Sequence, residues 1–336
     1  MRLGKTEINV MRTAFGALPI QRNSKEEAVR LLRKAVDNGI EFFDTARMYT
    51  DSEEKLGVAF AGRRNSVVLA TKTLATTREG ALKDIATSLG HLQTDWIDLI
   101  QLHNPVTLPN PDDPQSSYSG LLEARQKGMV RHIGITNHSL AIALAAARSG
   151  LYETIQFPLS SISSDSDLTL IEECRKADCG LIAMKAMAGG LIINVASSFA
   201  FLRQYENVLP IWGVQKEAEL DQFLALEAKP PVLDSELWSV IRKDRKELAG
   251  RFCRGCGYCM PCPAGIQINW VARMSLLLRR APYQTFLNEE WRQKMNAIRS
   301  CTHCDLCKSK CPYGIDTPSL IQENLADYEQ FYRQFK

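Results

Sequence analysis

The sequence predicts an α/β fold: a (β/α)8 barrel over residues 1–230, followed at 231–336 by a helical linker and a small cysteine-rich domain. Three observations predict it. Eight short apolar or β-branched runs alternate with eight helical stretches, the pattern of a parallel sheet covered by helices on its outer face. No Gly-x-Gly-x-x-Gly follows the first run, which favours a closed TIM-type barrel over an open doubly wound sheet. Eight of the ten cysteines crowd between Cys253 and Cys311, far from the alternating region.

The expected strands are 13–18, 40–45, 67–73, 97–103, 132–136, 154–158, 180–186 and 208–213. The expected helices are 25–38, 52–61, 78–92, 119–127, 140–148, 165–177, 193–203 and 218–226. Ser24 before Lys-Glu-Glu and Ser52 before Glu-Glu-Lys are hydroxyls placed to cap helix starts. The proline-rich stretch 104–117, just after the fourth strand, reads as an ordered active-site loop. The pattern stops near Lys229-Pro230-Pro231, and a charged helix is expected over 235–250 before the cysteines begin.

Composition narrows the function classes. The 336 residues are 45% hydrophobic and 24% charged, an ordinary globular balance. Net charge is +3, from 41 basic and 38 acidic residues, so no strong field suits nucleic acid or an acidic partner. The first residues contain no apolar h-region. The longest uncharged stretch, 186–202, is broken by Gly189-Gly190, Asn194 and Ser197-Ser198 and is shorter than a membrane-spanning helix needs. A cytoplasmic protein is expected, and in a reducing cytosol clustered cysteines read as metal ligands rather than disulfides. Cys174 and Cys179 read as ordinary buried thiols.

The cysteines form two runs, Cys253-x-x-Cys256-x-x-Cys259-x-x-Cys262-Pro263 and Cys301-x-x-Cys304-x-x-Cys307-x-x-x-Cys311-Pro312. A zinc ribbon uses two Cys-x-x-Cys pairs and leaves no role for four cysteines in unbroken series. The tail instead resembles bacterial ferredoxins with two 4Fe-4S centres. In those, three closely spaced thiolates wrap one cubane and the fourth, before a proline, serves the other. The resemblance implies Cys253, Cys256, Cys259 and Cys311 on one cluster, and Cys301, Cys304, Cys307 and Cys262 on the other. Two residues rather than three precede Cys262, so which of Cys262 and Cys311 completes which cluster stays open. His303 reads as an exposed spacer.

Four residues sit where a barrel places chemistry, at the C-terminal ends of successive strands. Asp44 closes the second, Tyr49 follows in the next loop, Lys72 ends the third and His103 the fourth. Singly, each has an ordinary reading: a turn cap, a loop aromatic, a solvated cation, a buried imidazole. Together, with Phe43-Asp44-Thr45-Ala46, Ser52-Glu53 and Gly134-Ile135-Thr136-Asn137, they make residues 1–228 resemble the aldo-keto reductases. With its tail the chain is similar to the subgroup of that family carrying a C-terminal ferredoxin-like domain with two clusters.

The resemblance implies a carbonyl-reducing oxidoreductase. Tyr49 would be the general acid with its pKa lowered by Lys72, Asp44 would hold Lys72, and His103 would orient the carbonyl oxygen. It implies Thr136, Asn137 and Gln156 at the nicotinamide carboxamide, and Gly189, Gly190 and Leu191 near the pyrophosphate. Lys185 and Lys216 join them as cofactor candidates. Two departures stand out. Met184 occupies the region where the family usually stacks an aromatic on the nicotinamide. Glu219 aligns with the position where NADP-specific relatives often place an arginine, and an acid there repels a phosphate. The choice between NADH and NADPH therefore stays open, with Lys216 a partial compensation. Leu18, Arg47, Met48, Trp212 and the 104–117 loop are pocket candidates for a small carbonyl substrate. Hydride carries two electrons and a cubane one, so direct exchange needs a mediator, and three readings of the clusters stay open: structural staples of a small lobe, a wire to a ferredoxin, flavodoxin or flavoprotein partner, or a sensor of oxygen or redox state. The alternative is an iron–sulfur electron-transfer protein whose barrel binds a flavin, ligand or partner with little use of nicotinamide.

Overall fold

The computed structural model describes residues 1–248 and 252–335. They form two compact units: Met1–Ala186 with Ala196–Asp234, and Met187–Val195 with Ser235–Lys336. The second unit is thus discontinuous, taking in nine residues, Met187–Val195, that run from just past the seventh strand to the first residue of the helix after it.

The first unit is a closed parallel barrel in sequence order. Its strands are β1 (Ala14–Gly16), β2 (Phe42–Asp44), β3 (Val68–Thr73), β4 (Ile97–His103), β5 (Val130–Thr136), β6 (Thr154–Pro158), β7 (Gly180–Met184) and β8 (Val208–Gly213). Its helices are α1 (Lys25–Asp37), α2 (Ser52–Phe60), α3 (Arg78–Leu92), α4 (Ser117–Gln126), α5 (Leu140–Ser149), α6 (Asp165–Lys176), α7 (Val195–Arg203) and α8 (Glu217–Ala228). β7 ends two residues before its expected limit, because Lys185 has φ +59° and cannot continue a strand. Ser24 caps α1 as expected, in a reciprocal box with Glu27. Ser52 does not cap α2. It is the first helical residue, and its buried hydroxyl donates to the Ala17 carbonyl and accepts from Thr45.

Side-chain alternation places the chemistry. Phe42, Ala70, Leu99, Ile182, Leu209 and Ile211 point into the barrel and join Leu3 and Val10 in one apolar cluster. Two residues further along three of these strands, at the same inward parity, stand Asp44, Lys72 and Gln101. The interior therefore changes from an apolar floor to a polar mouth within one strand step. Outward residues pack on the helices. Trp212, a pocket candidate from the sequence, belongs to this layer, fully buried and stacked on Phe199 of α7 and Phe223 of α8.

The second unit comprises α9 (Ser235–Glu247), α10 (Ile268–Val271), α11 (Met274–Arg280), α12 (Glu289–Asn296), α13 (Leu306–Ser309) and α14 (Thr317–Phe335). The end of the charged helix expected at 249–250 lies outside the described residues. The unit buries Ile241, Val271, Met274, Leu278, Met295, Ile298, Ile321 and Tyr328, an apolar core of its own. No described helix is long and apolar enough to cross a membrane.

Candidate active site and cysteine cavities

β2, β3 and β4 bring their charged ends together because the register pairs Asp44 with Ala70 and Lys72 with Gln101. Lys72 Nζ lies 2.6 Å from Asp44 Oδ2 and donates also to the Thr45 carbonyl at 2.7 Å. Asp44 accepts further, weaker hydrogen bonds from Gln101 (3.4 Å) and Gln156 (3.3 Å), and the Gln101 amide donates to Gln156 Oε1 at 2.8 Å. Burial is the largest influence on both ions. It pushes the Lys72 ammonium down and the Asp44 carboxyl up, each opposed by the charge of the other. His103, on the same inward face, is held well below the usual imidazole range, first by burial and then by the positive charge of Lys72. It is a neutral imidazole at neutral pH.

Tyr49 is half-buried in the loop after β2. Lys72 Nζ is 5.3 Å from the centre of its ring, and the His103 ring meets it edge-on with centroids 6.0 Å apart. The structure thus brings all four expected catalytic residues to one mouth of the barrel. The loop has a firm base. The Tyr49 N–H donates to Ala46, the Ser52 N–H donates to Tyr49, and the Arg47 N–H donates to the Lys72 carbonyl. Beneath it lies Glu53, 1% exposed, accepting hydrogen bonds from Thr71 (2.6 Å), Ser88 (2.7 Å) and Arg47. This carboxylate ties the Tyr49 loop to β3 and α3.

The expected cofactor residues divide. Thr136 and Gln156 are register partners on β5 and β6, with His103 paired to Thr136 on the other side. The Thr136 hydroxyl meets Met184 Sδ at 3.7 Å. Asn137 is fixed by donating to the Pro105 carbonyl and accepting from Ser139. Lys185 is half-buried past the end of β7, and Lys216 is exposed at the start of α8. Glu219 turns back to accept the N–H groups of Gln215 and Lys216, so its charge is engaged with the α8 N-terminus. Gly189, Gly190 and Leu191 belong to the second unit, where Arg273 donates to the Gly189 carbonyl and Arg280 to that of Leu191.

In the same unit the cysteines surround two cavities. Cys253, Cys256, Cys259 and Cys311 line the first, with Ile268, Tyr313 and Ile315. Cys262, Cys301, Cys304 and Cys307 line the second, with Ile266 and Ile321, and Cys259 touches both. Burial pushes the Cys259 thiol up to about 12 and raises Cys253 and Cys307. Among the described residues no three such ligands close on a point that would hold a single ion.

Sequence reading missed two contributors here. Gln101 joins Asp44 to Gln156, and its signal was its inward parity with His103, two residues on. Glu53 stood in a quoted motif without a role; the signal was an acid beginning a helix whose next turn is apolar.

The Aldo/keto reductase family profile matches residues 12–194, and that of the 4Fe-4S dicluster domain matches 252–316. Among curated relatives, the uncharacterized oxidoreductase YqkF of Bacillus subtilis is 28% identical over 57% of this chain and 65% of its own length. The L-galactose dehydrogenase of Arabidopsis thaliana is 29% identical over 56% of this chain and 66% of its own. The chain thus spans somewhat less than two thirds of the length of these relatives. Among solved structures, an aldo-keto reductase from Klebsiella pneumoniae in complex with NADPH superposes with a TM-score of 0.63 at 21% identity, covering 73% of this chain and 94% of that one. That likeness shows the fold.

Proposed function

The chain belongs to the aldo/keto reductase family and carries a 4Fe-4S dicluster domain, and from that premise we propose that it reduces a small carbonyl compound at the barrel mouth with NADPH or NADH as hydride donor. The observation that carries the reading is the buried Asp44–Lys72 pair at 2.6 Å, with its ammonium facing the Tyr49 ring and His103 beside it. When bound, a dihydronicotinamide supplies hydride to the carbonyl carbon. Thr136, Asn137 and Gln156 would hold its carboxamide, and the buried hydroxyl and amides at those positions fit that group. Lys185 and Lys216 would offer charge to its phosphates.

Tyr49 gives its hydroxyl proton to the forming alkoxide, so carbon gains hydride, oxygen gains a proton and the phenolate is left beside Lys72. The ammonium lowers the cost of that phenolate, and Asp44 keeps the ammonium in place. His103, neutral through burial, offers a ring N–H to the carbonyl oxygen and orients it. Glu53 and Arg47 hold the loop that presents Tyr49.

For the tail we propose two 4Fe-4S clusters, on Cys253, Cys256, Cys259 and Cys311 and on Cys262, Cys301, Cys304 and Cys307, in accord with the two cavity linings. Cysteines spread around volumes suit cubanes better than single zinc ions. The clusters are read as a relay to an external ferredoxin, flavodoxin or flavoprotein rather than a mere staple, since two clusters exceed what a staple requires. Clusters of this kind suit a reducing cytoplasm.

The test is titration of anaerobically purified protein with NADPH and NADH, then with an aldehyde and a quinone. Nucleotide binding and carbonyl-dependent oxidation are expected. Tyr49→Phe should lower turnover by roughly 10²–10⁴-fold while nucleotide binding is retained. Unchanged turnover would remove Tyr49 from the chemistry. Failure to bind either nucleotide would leave the electron-transfer reading in its place.

A further inference from the structure

Gln101 is fully buried on the inward face of β4, where an aliphatic residue would be easier to desolvate. In the barrel register it pairs with Lys72 of β3 and with Gly134 of β5, and Gly134 in turn pairs with Thr154 of β6. Its side chain passes that glycine to reach Gln156 on β6. A Cβ on Gly134 would stand 3.3 Å from Gln101 Cγ and 2.1 Å from Thr154 Oγ1, so only a glycine clears the crossing. Gln101 Nε2 donates to Gln156 Oε1 at 2.8 Å and, more weakly, to Asp44 Oδ1 at 3.4 Å. Gln156 Nε2 donates to Asp44 Oδ2 at 3.3 Å. Buried side chains from β2, β4 and β6 thus close a triangle of hydrogen bonds. Gln101 Oε1 has no hydrogen-bond partner among the described residues, so this amide is held by its N–H groups alone.

The triangle runs in one direction. A carboxylate only accepts, so Asp44 draws Nε2 of both glutamines toward itself. The terminal torsion of a glutamine is roughly two-fold, so its amide can turn over and exchange oxygen for nitrogen. For Gln156 that second setting would put its N–H groups against the Gln101 donor and its oxygen against the Asp44 carboxylate. The contact with Gln101 is the shorter of the two and the stronger constraint. With one lone pair given to Gln101 and one N–H given to Asp44, the Gln156 amide keeps one N–H and one lone pair for a ligand. We propose that Gln101 is a positioning residue for nicotinamide binding, which fixes the Gln156 amide in the single orientation that meets the carboxamide. The proposal rests on the nicotinamide reading above. It also explains Gly134, since any side chain there would part Gln101 from Gln156.

The experiment uses the full anaerobic protein, wild type and the variants Gln101→Met, Gln156→Met, the two combined, and Thr154→Ala. Dissociation constants for NADPH and NADH are measured first, then KM and kcat with an aldehyde. Gln101→Met keeps the volume without the donor and should weaken nucleotide binding about fivefold, the worth of about one hydrogen bond. The KM for nucleotide should rise by a larger factor than kcat falls, the reverse of the split expected for Tyr49→Phe. Because Gln101 acts through Gln156, adding Gln101→Met to Gln156→Met should weaken binding no further. Thr154→Ala removes a hydroxyl that has no partner among the described residues and should bind nucleotide as the wild type does. Full additivity in the combined variant, or wild-type affinity in Gln101→Met, overturns the proposal. If Gln101→Met does not fold, Gly134→Ala in the Thr154→Ala background decides. Its Cβ then presses on Gln101 with the hydroxyl out of the way, and affinity equal to that of Thr154→Ala overturns the proposal. Wild-type protein that binds neither nucleotide would instead sink the nicotinamide reading itself.

Discussion

Asp44 and Lys72 leave water together, and neither tolerates the loss of the other. Asp44→Asn removes the carboxylate and leaves an ammonium in a site 1% exposed at Lys72. Denaturant unfolding should show about 3–5 kcal/mol of lost stability, as for other broken buried pairs; a loss under about 1 kcal/mol would mean that the native pair is not ionised. His103 sets a pH dependence of known sign. Its folded pKa lies below the ordinary 6.5, so the unfolded chain binds a proton at a pH where the folded chain does not. Stability is therefore full above pH 6.5 and falls as the solution is acidified toward the folded value, with a slope of about 1.4 kcal/mol per pH unit for one proton. His103→Gln should flatten that slope between pH 6.5 and 5 in thermal melts; an unchanged slope would assign it to other groups. At this scale the sequence was informative where charge interrupts an apolar run, which is why Asp44, Lys72 and His103 could be read. Gln101 was missed, because an uncharged amide in a strand carries no such contrast and only its parity with His103 marks it.

The elements were legible to within a few residues where local chemistry sets their limits. β4, β6 and β8 match the expected spans because a helix or turn signal bounds each run. The end of β7 was not, since Lys185 adopts positive φ without being glycine or asparagine, a conformation imposed by its surroundings. The contact of α2 with α3 was equally hidden. A Cβ on Gly57 would stand 2.3 Å from the His91 carbonyl, so the glycine is required by close backbone approach, though its own φ is ordinary. Gly57→Ala should cost about 1–3 kcal/mol by forcing the helices apart. Calorimetry should record this as a lower barrel melting temperature with helix content retained in circular dichroism. Ser52 is an example of competition between uses of one group: a hydroxyl suited to capping is taken instead by Ala17 and Thr45.

For the whole molecule, the sequence separated a barrel from a cysteine-rich tail, and both are present. It did not reveal that the second unit reaches back to 187–195, because Arg273 and Arg280 meet their carbonyls across 84 and 89 residues of chain and leave no local periodicity. Removal of iron tests how far each unit stands alone. Anaerobic chelation should abolish hydrogen-exchange protection in the cysteine segments 252–263 and 301–312, since thiolate–metal bonds fix loops with few backbone ladders. β2–β8 should keep theirs. Loss of strand protection at the same chelator concentration would make the clusters part of the barrel's stability.

The backward reach of the second unit also bears on how such a chain can be cut and recombined. A fragment ending at Asp234 would retain Ala188, Leu191 and Ile192, which are buried and belong to the second unit, without the rest of that unit. Grafting the tail onto a different barrel at one junction would leave it without the strand of backbone its arginines grasp. Exchange of this module between proteins takes two splices, one of them inside the donor barrel.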